Sequence, residues 1–376
     1  MISRRNLLKL AAGAIGSAVA HGRAVAQTPA SGKATAAPPA AKETKLKIIG
    51  LEEHYCLPAL FSAWGQLTPE IKGGILFHQK PMADMLEDFA EKRLARMDAM
   101  GLDVQVLSLT TPGAQVFDPA SAITFARLSN DVGARAVAAH PDRFQCFATL
   151  PTTAPPVQSV AELKRCVEEL GFKGWLVNGR TLDRNLDHPD FFPIFEAAAK
   201  LRVPIYLHPQ LPAKPVRDAY YSDPRFGGPM ADSIFAGPGF GWHVETGIQA
   251  VRLILSGMLD RLPELQIILG HWGETVVPYM DRIEGISRVA PGKLARKIPE
   301  YFLSNFYVTP SGMFAGGFLH QAIEIMGVDR IMFSVDDPFV PLPSGGARRF
   351  IADAPLTEVE KAKIAHGNWE RLTKRS

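Results

Sequence analysis

The 376-residue sequence has few cysteines, no lasting charge excess and, beyond its first residues, no long apolar run. Cys56, Cys146 and Cys166 cannot all pair with one another and show no C-x-x-C spacing, which excludes a small disulfide scaffold and leaves buried small hydrophobes as the simplest reading. After the N-terminal leader no stretch approaches the eighteen apolar residues that a spanning helix needs, so the mature chain is expected to have no membrane partner. The formal charge of +3 belongs to residues 1–26, which hold four basic side chains and no acidic one; the remainder carries −1. That near-neutral body offers nucleic acid no electrostatic footprint. A Gly-rich phosphate turn after an early strand is also missing, which argues against a doubly wound dinucleotide fold. Gly237-Pro238-Gly239-Phe240-Gly241 has the glycines, but no strand precedes it. With 47% hydrophobic residues, the composition excludes disorder and permits one large domain or two ordinary ones.

What is present begins with the leader. Ser3-Arg4-Arg5-Asn6-Leu7-Leu8-Lys9, a weakly apolar run to Ala20, and Ala24-Val25-Ala26 ahead of Gln27 read as a cleavable signal peptide over 1–26. The arginine pair followed by Leu-Leu-Lys resembles the twin-arginine export signal, so the expectation is a folded protein delivered to the periplasm. Residues 27–44, rich in Ala and Pro, read as a disordered spacer. From residue 45 to 376, β-rich runs alternate with segments of 3.6-residue period. The runs are 46–51, 104–109, 144–150, 174–178, 203–207, 266–269, 305–309 and 330–335. Eight alternations predict a single-domain α/β fold, a (β/α)8 TIM barrel with extended βα loops. Helices are expected over 84–100 and 157–170, with Gly101 and Gly171 as C-caps. The surplus length falls after strands 1, 5 and 8, on the face where barrel active sites are built. The loop over 210–240 is aromatic (Tyr220, Tyr221, Phe226, Phe235, Phe240) and reads as a lid or a subunit contact.

Polar residues end several of these apolar runs. Strand 1 leads into Glu52-Glu53-His54, where period-two alternation sends Glu52 and His54 to one face and Glu53 to the other. Strands 5, 6 and 8 lead into His208, His271 and Asp336. Any one histidine is more often a satisfied core residue. Carboxylates and imidazoles at four strand ends together point to a divalent transition metal such as Zn2+, Mn2+ or Fe2+. The remaining histidines lie in the leader, in loops or on helices. Among them His243 stands closest to the pattern, because the long loop before it is placed to cover the barrel mouth.

Four segments, Leu51-Glu-Glu-His54, Tyr206-Leu-His-Pro209, Ile268-Leu-Gly-His-Trp-Gly-Glu274 and Phe333-Ser-Val-Asp336, resemble the amidohydrolase superfamily. They are closest to its nonoxidative aromatic-acid decarboxylase branch, which includes γ-resorcylate, 2,3-dihydroxybenzoate and salicylate decarboxylases. The likeness runs in order from about residue 46 to 373. It implies Glu52, His54, His208 and Asp336 as ligands of one divalent ion (Mn2+ or Zn2+), His271 and Glu274 as a pair beside the substrate, and Arg282 as a supporting cation. A surface role for Arg282, paired with Glu284 or Asp281, is the alternative. It also implies a homodimer or homotetramer. Asp337 departs from the branch, which often carries Trp, Ser or another uncharged residue there; facing the pocket, its charge would oppose an anionic substrate.

The expected activity is metal-dependent decarboxylation of a small ortho-hydroxy aromatic acid. Asp336 would be the proton donor, His271 would be held by Glu274, and Phe339 with the lid aromatics would form an apolar wall. Where hydrolases of the superfamily open with His-x-His, this chain has Glu52, an anionic ligand that lowers the metal's Lewis acidity. The rival reading is a metal-dependent hydrolase of a lactone, amide or ester, with Asp336 as general base. A barrel that only binds a ligand is a third, opposed by the complete donor set.

Overall fold

Parallel strands occur at seven of the eight β-rich runs. The computed structural model describes residues 46–67, 80–289 and 294–374. The leader and spacer, 1–26 and 27–44, lie outside the described residues. Lys45–Ser376 forms one compact unit. Its strands are β1 (Ile49–Tyr55), β2 (Val104–Leu109), β3 (Phe144–Cys146), β4 (Trp175–Asn178), β5 (Ile205–His208), β6 (Ile267–Leu269) and β7 (Phe306–Val308). They form two parallel sheets, β1-β2-β3 and β4-β5-β6-β7. Backbone bonds join the sheets through Ala148, whose N–H donates to Gly174 O at 2.8 Å and whose carbonyl accepts from Leu176 N at 3.0 Å.

The eighth run corrects the expectation of a strand over 330–335. Arg330 closes a 3-10 turn (Val328–Arg330), and only Ile331 forms a bridge, to Val308. The run still closes the ring, because Met332 N donates to Val308 O at 3.0 Å and Leu51 N to Phe333 O at 3.1 Å. Further along, the amides of Val335 and Asp337 donate to the Glu53 carboxylate at 2.9 and 3.2 Å instead of to a neighbouring strand. A side chain has taken the place of the ladder.

Two apolar layers follow from the period of two along each strand. Ile49, Leu51, Val104, Val106, Phe147, Leu176, Tyr206, Ile268, Tyr307 and Met332 fill the interior, with Trp369 from the C-terminal helix among them. Every run of the ring therefore contributes an inward side chain, which makes the interior a packed core. The opposite faces pack under the surrounding helices. The expected helix 84–100 is broken into Met82–Leu86 and Glu91–Met100. Asp88 breaks it, since its carboxylate accepts from Ala90 N at 3.1 Å and its carbonyl from Arg93 Nε at 2.6 Å, a local bonding scheme that competes with the helix. The segment over 157–170 is α-helical as Pro156–Lys164 and continues as a π-turn, Arg165–Glu169. Gly101 and Gly171 both take positive φ, as C-caps do. All three cysteines are free and buried. No described helix is long and apolar enough to cross a membrane.

Candidate active site

The C-terminal ends of β1, β5 and β6 and the turn after the eighth run surround a cavity of about 680 Å³. β1 supplies two of its groups because of an irregularity that alternation alone does not reveal. Its register against β2 shifts between Gly50 and Glu53. Leu51 stays in the interior core, Glu52 lies buried beneath the cavity, His54 lines it, and Glu53 points outward to Gln105. Bulges of this kind re-aim side chains beside active sites.

Glu52 is fully buried. One carboxylate oxygen, Oε2, accepts from the hydroxyls of Tyr206 and Ser311. The other, Oε1, has no hydrogen-bond donor among the described residues and lies 3.2 Å from His208 Nε2. His208 Nδ1 faces the carbonyl of Pro209 at 3.0 Å, which sets the tautomer and leaves the Nε2 lone pair aimed at Glu52. His54 Nδ1 meets Ser108 Oγ at 3.2 Å, and its Nε2 lies 3.3 Å from Asp336 Oδ1. One donor atom each from Glu52, His54 and His208 falls within a 4.8 Å cluster. A buried, donor-free carboxylate oxygen facing two imidazoles fits one divalent cation, with Asp336 at its edge. Gly270 leaves room for the Glu52 carboxylate, since a Cβ there would stand 2.7 Å from Glu52 Oε2.

Next to this set, His271 Nδ1 bonds Glu274 Oε1 at 2.7 Å, as the sequence pairing predicted. The turn that carries them is strained: His271, Trp272, Glu274 and Thr275 all have positive φ, as does Asp336 at 73°. His271 Nε2 enters the cavity 3.9 Å from Glu52 Oε1 and 4.0 Å from Asp336 Oδ2. Burial would lower the His271 pKa, but Glu274, Glu52 and Asp336 outweigh it and lift it to about 10. Burial pushes the other way on Glu52, yet His271, His208 and His54 hold that carboxyl well below the usual range. Burial, then the Glu52 charge, raises Asp336 well above it. Two carboxyls at one site are thus split into an anion and a neutral acid.

Phe339 lines the cavity, its ring 5.5 Å from His54. Arg282 is not brought to it within this chain. Met280, Ile283 and Ile286 turn the apolar face of the helix Met280–Val289 toward the core, which leaves Arg282 exposed. Its expected surface partner Glu284 bonds Arg288 instead, at 2.7 Å. Asp337 points away from the pocket, buried against Arg96 at 3.1 Å and Gln105 at 3.3 Å, so its charge does not face a substrate. The residue that sequence reasoning passed over is His243. It lines the cavity and bonds the second oxygen of Glu274 at 2.8 Å. Its only signal was the position of the long loop before it.

A parallel barrel gathering carboxylates and imidazoles at the C-terminal ends of its strands defines a metal-dependent enzyme of the amidohydrolase type. The amidohydrolase family model matches residues 64–373. A γ-resorcylate decarboxylase from Rhizobium sp. is 36% identical over 338 residues, covering 87% of this chain and 98% of the relative. Among solved structures, the 5-carboxyvanillate decarboxylase of Sphingomonas paucimobilis superposes with a TM-score of 0.80 at 33% identity, covering 88% of this chain and all of that one. A dihydroxybenzoic acid decarboxylase from Polaromonas, solved with manganese and the inhibitor 2-nitroresorcinol, has a TM-score of 0.75 at 34% identity, over 88% of this chain and 98% of that one. The chain belongs to the amidohydrolase family, on its aromatic-acid decarboxylase branch, and is a carboxy-lyase.

Proposed function

We propose that this protein is a manganese-dependent, nonoxidative decarboxylase of an ortho-hydroxy aromatic carboxylic acid. The observation that carries this is the pairing of a carboxyl biased toward its neutral acid form, Asp336, with the cluster of Glu52, His54 and His208 in one cavity. Those three side chains would hold the ion, with Asp336 as a fourth donor. When bound, the ion would supply positive charge that favours an anionic substrate at the site. Asp336 gives its proton to the ring carbon that bears the carboxylate. The bond from that carbon to the carboxylate then breaks, CO2 leaves, and the electron pair restores the aromatic ring. Asp336 remains as a carboxylate and takes a new proton from solvent. His271, with Nδ1 bonded to Glu274, donates from Nε2 to the substrate's oxygens and holds them in place while the ring carbon is protonated. Phe339, Phe240 and Trp242 bound the cavity with apolar surface and exclude water.

The test is to strip the protein with a chelator, reconstitute it with Mn2+ or Zn2+, and screen 2-hydroxybenzoates. Mn2+ is expected to restore CO2 release with one phenol formed per CO2. Acid formation from a lactone or ester with water uptake, and no CO2 from any hydroxybenzoate, would replace this reading with the hydrolase.

We propose in addition that residues 1–26 direct export of the folded enzyme to the periplasm. Fractionation should find the wild type there and an Arg4→Lys/Arg5→Lys variant retained in the cytoplasm; a wild type confined to the cytoplasm overturns the proposal. The exposed aromatic side chains Tyr220, Phe226, Phe235 and Phe240 support assembly as a homodimer or homotetramer, which sedimentation measures directly.

A further inference from the structure

His243 is absent from the expected site, yet it occupies the other half of a carboxylate that the site depends on. Glu274 is fully buried and both of its oxygens are taken by imidazoles, Oε1 by His271 Nδ1 at 2.7 Å and Oε2 by His243 Nδ1 at 2.8 Å. The two rings lie with centroids 4.4 Å apart. Because both Nδ1 atoms face a carboxylate, both carry hydrogen, and the tautomer of each ring follows from Glu274.

The far side of His243 is equally constrained. Its Nε2 lies 3.1 Å from the indole Nε1 of Trp242 and 3.1 Å from the carbonyl of Pro238. A neutral ring accepts from Trp242, and a charged one donates to Pro238, so the ring keeps its place in either state. Its helix, Gly241–Leu255, is pressed against the strained turn, since a Cβ on Gly247 would collide with the carbonyl of Glu274. His243 is thus fixed to the loop over the mouth on one side and to the site on the other.

We infer that His243 is a positioning residue for the reaction. It holds the Glu274 carboxylate in the one rotation that presents Oε1 to His271, and so aims His271 Nε2 into the cavity. The inference rests on the reading of His271 as the group that meets the substrate's oxygens. Without His243, one oxygen of a buried carboxylate loses its donor, and the carboxylate is free to turn away from His271. His243 stands outside the cluster of Glu52, His54 and His208, so its loss should leave the metal in place.

The experiment compares the wild type, His243→Ala and His243→Asn, the last placing an amide N–H where Nδ1 sits. His243→Ala should lower kcat by roughly 10–100-fold, the usual effect of removing such an outer partner, with KM and bound manganese unchanged. His243→Asn should recover most of that loss. Independently of turnover, the zinc-loaded wild type should show the downfield ring N–H signal of His271 by NMR, lost in His243→Ala and kept in His243→Asn. A wild-type kcat in His243→Ala, an Asn variant no better than Ala, or an undisturbed His271 signal in His243→Ala would each overturn the inference. If no hydroxybenzoate is decarboxylated at all, the functional reading fails while the NMR signal still decides the role of His243.

Discussion

Asp336→Asn should lower kcat by about 10³-fold while the protein keeps its fold and most of its metal. The residue sits at a φ of 73°, a conformation that asparagine accepts nearly as well as aspartate, so the backbone cost of the exchange is small. The amide also keeps an oxygen near His54 Nε2, where the carboxylate now lies at 3.3 Å. What it lacks is an acidic proton to give the ring carbon. The same assignment sets the sign of the pH profile: turnover needs the protonated acid, so kcat falls as pH rises through the Asp336 pKa, which burial and the Glu52 charge displace upward. Metal content, melting temperature and CO2 release on one preparation check all three parts. Turnover retained in a metal-loaded Asn variant removes Asp336 from the role of proton donor.

Arg93→Met should cost about 3–5 kcal/mol of stability, read from the denaturant midpoint. Its guanidinium is fully buried and donates to the carbonyls of Asp88 and His54, at 2.6 and 2.7 Å, and to Gln105 Oε1 at 3.2 Å. It also stands 3.9 Å from Asp337 Oδ2. Burial brings its pKa down to about 10, which still leaves it cationic at neutral pH. Removing it withdraws a donor from the carbonyls of Asp88, His54, Met85 and Leu86 and deprives buried Asp337 of one of its two cations, the other being Arg96. Adding Asp337→Leu should recover part of the loss, because an apolar pair replaces a buried charge that has lost a partner. A loss under about 1 kcal/mol in the single variant would mean that Arg93 does not hold this region together.

Much of the site was legible because it depends on local periodicity. Glu52 and His54 share a face and Glu53 does not, and His208, His271 and Asp336 end their runs at the mouth, as their places after apolar segments implied. The rest depends on contacts distant in sequence. Asp337 turns outward because Arg96 receives it from 241 positions earlier. Glu53 replaces the ladder of the eighth run through amides more than 280 positions away. The β1 bulge leaves no mark on a pattern of alternating residues, and His243 is tied to the site by a bond to Glu274 across 31 positions. Arg282 stays outside the cavity of this chain for a simpler reason: Met280, Ile283 and Ile286 turn the opposite face of its helix to the core.

The division of the barrel into two sheets has a thermodynamic consequence. Glu52 and His54 belong to the three-stranded sheet and His208 to the four-stranded one. A cation that needs all three can bind only where the two sheets have already come together, so metal occupancy and assembly of the ring are linked equilibria. A ligand at a free concentration one hundred times its dissociation constant stabilises the form that binds it by about 2.7 kcal/mol. For this chain that stabilisation would fall on the seams, where a few backbone bonds rather than full ladders join the halves. A bound ion would then act as a rivet across the barrel as well as a centre for chemistry.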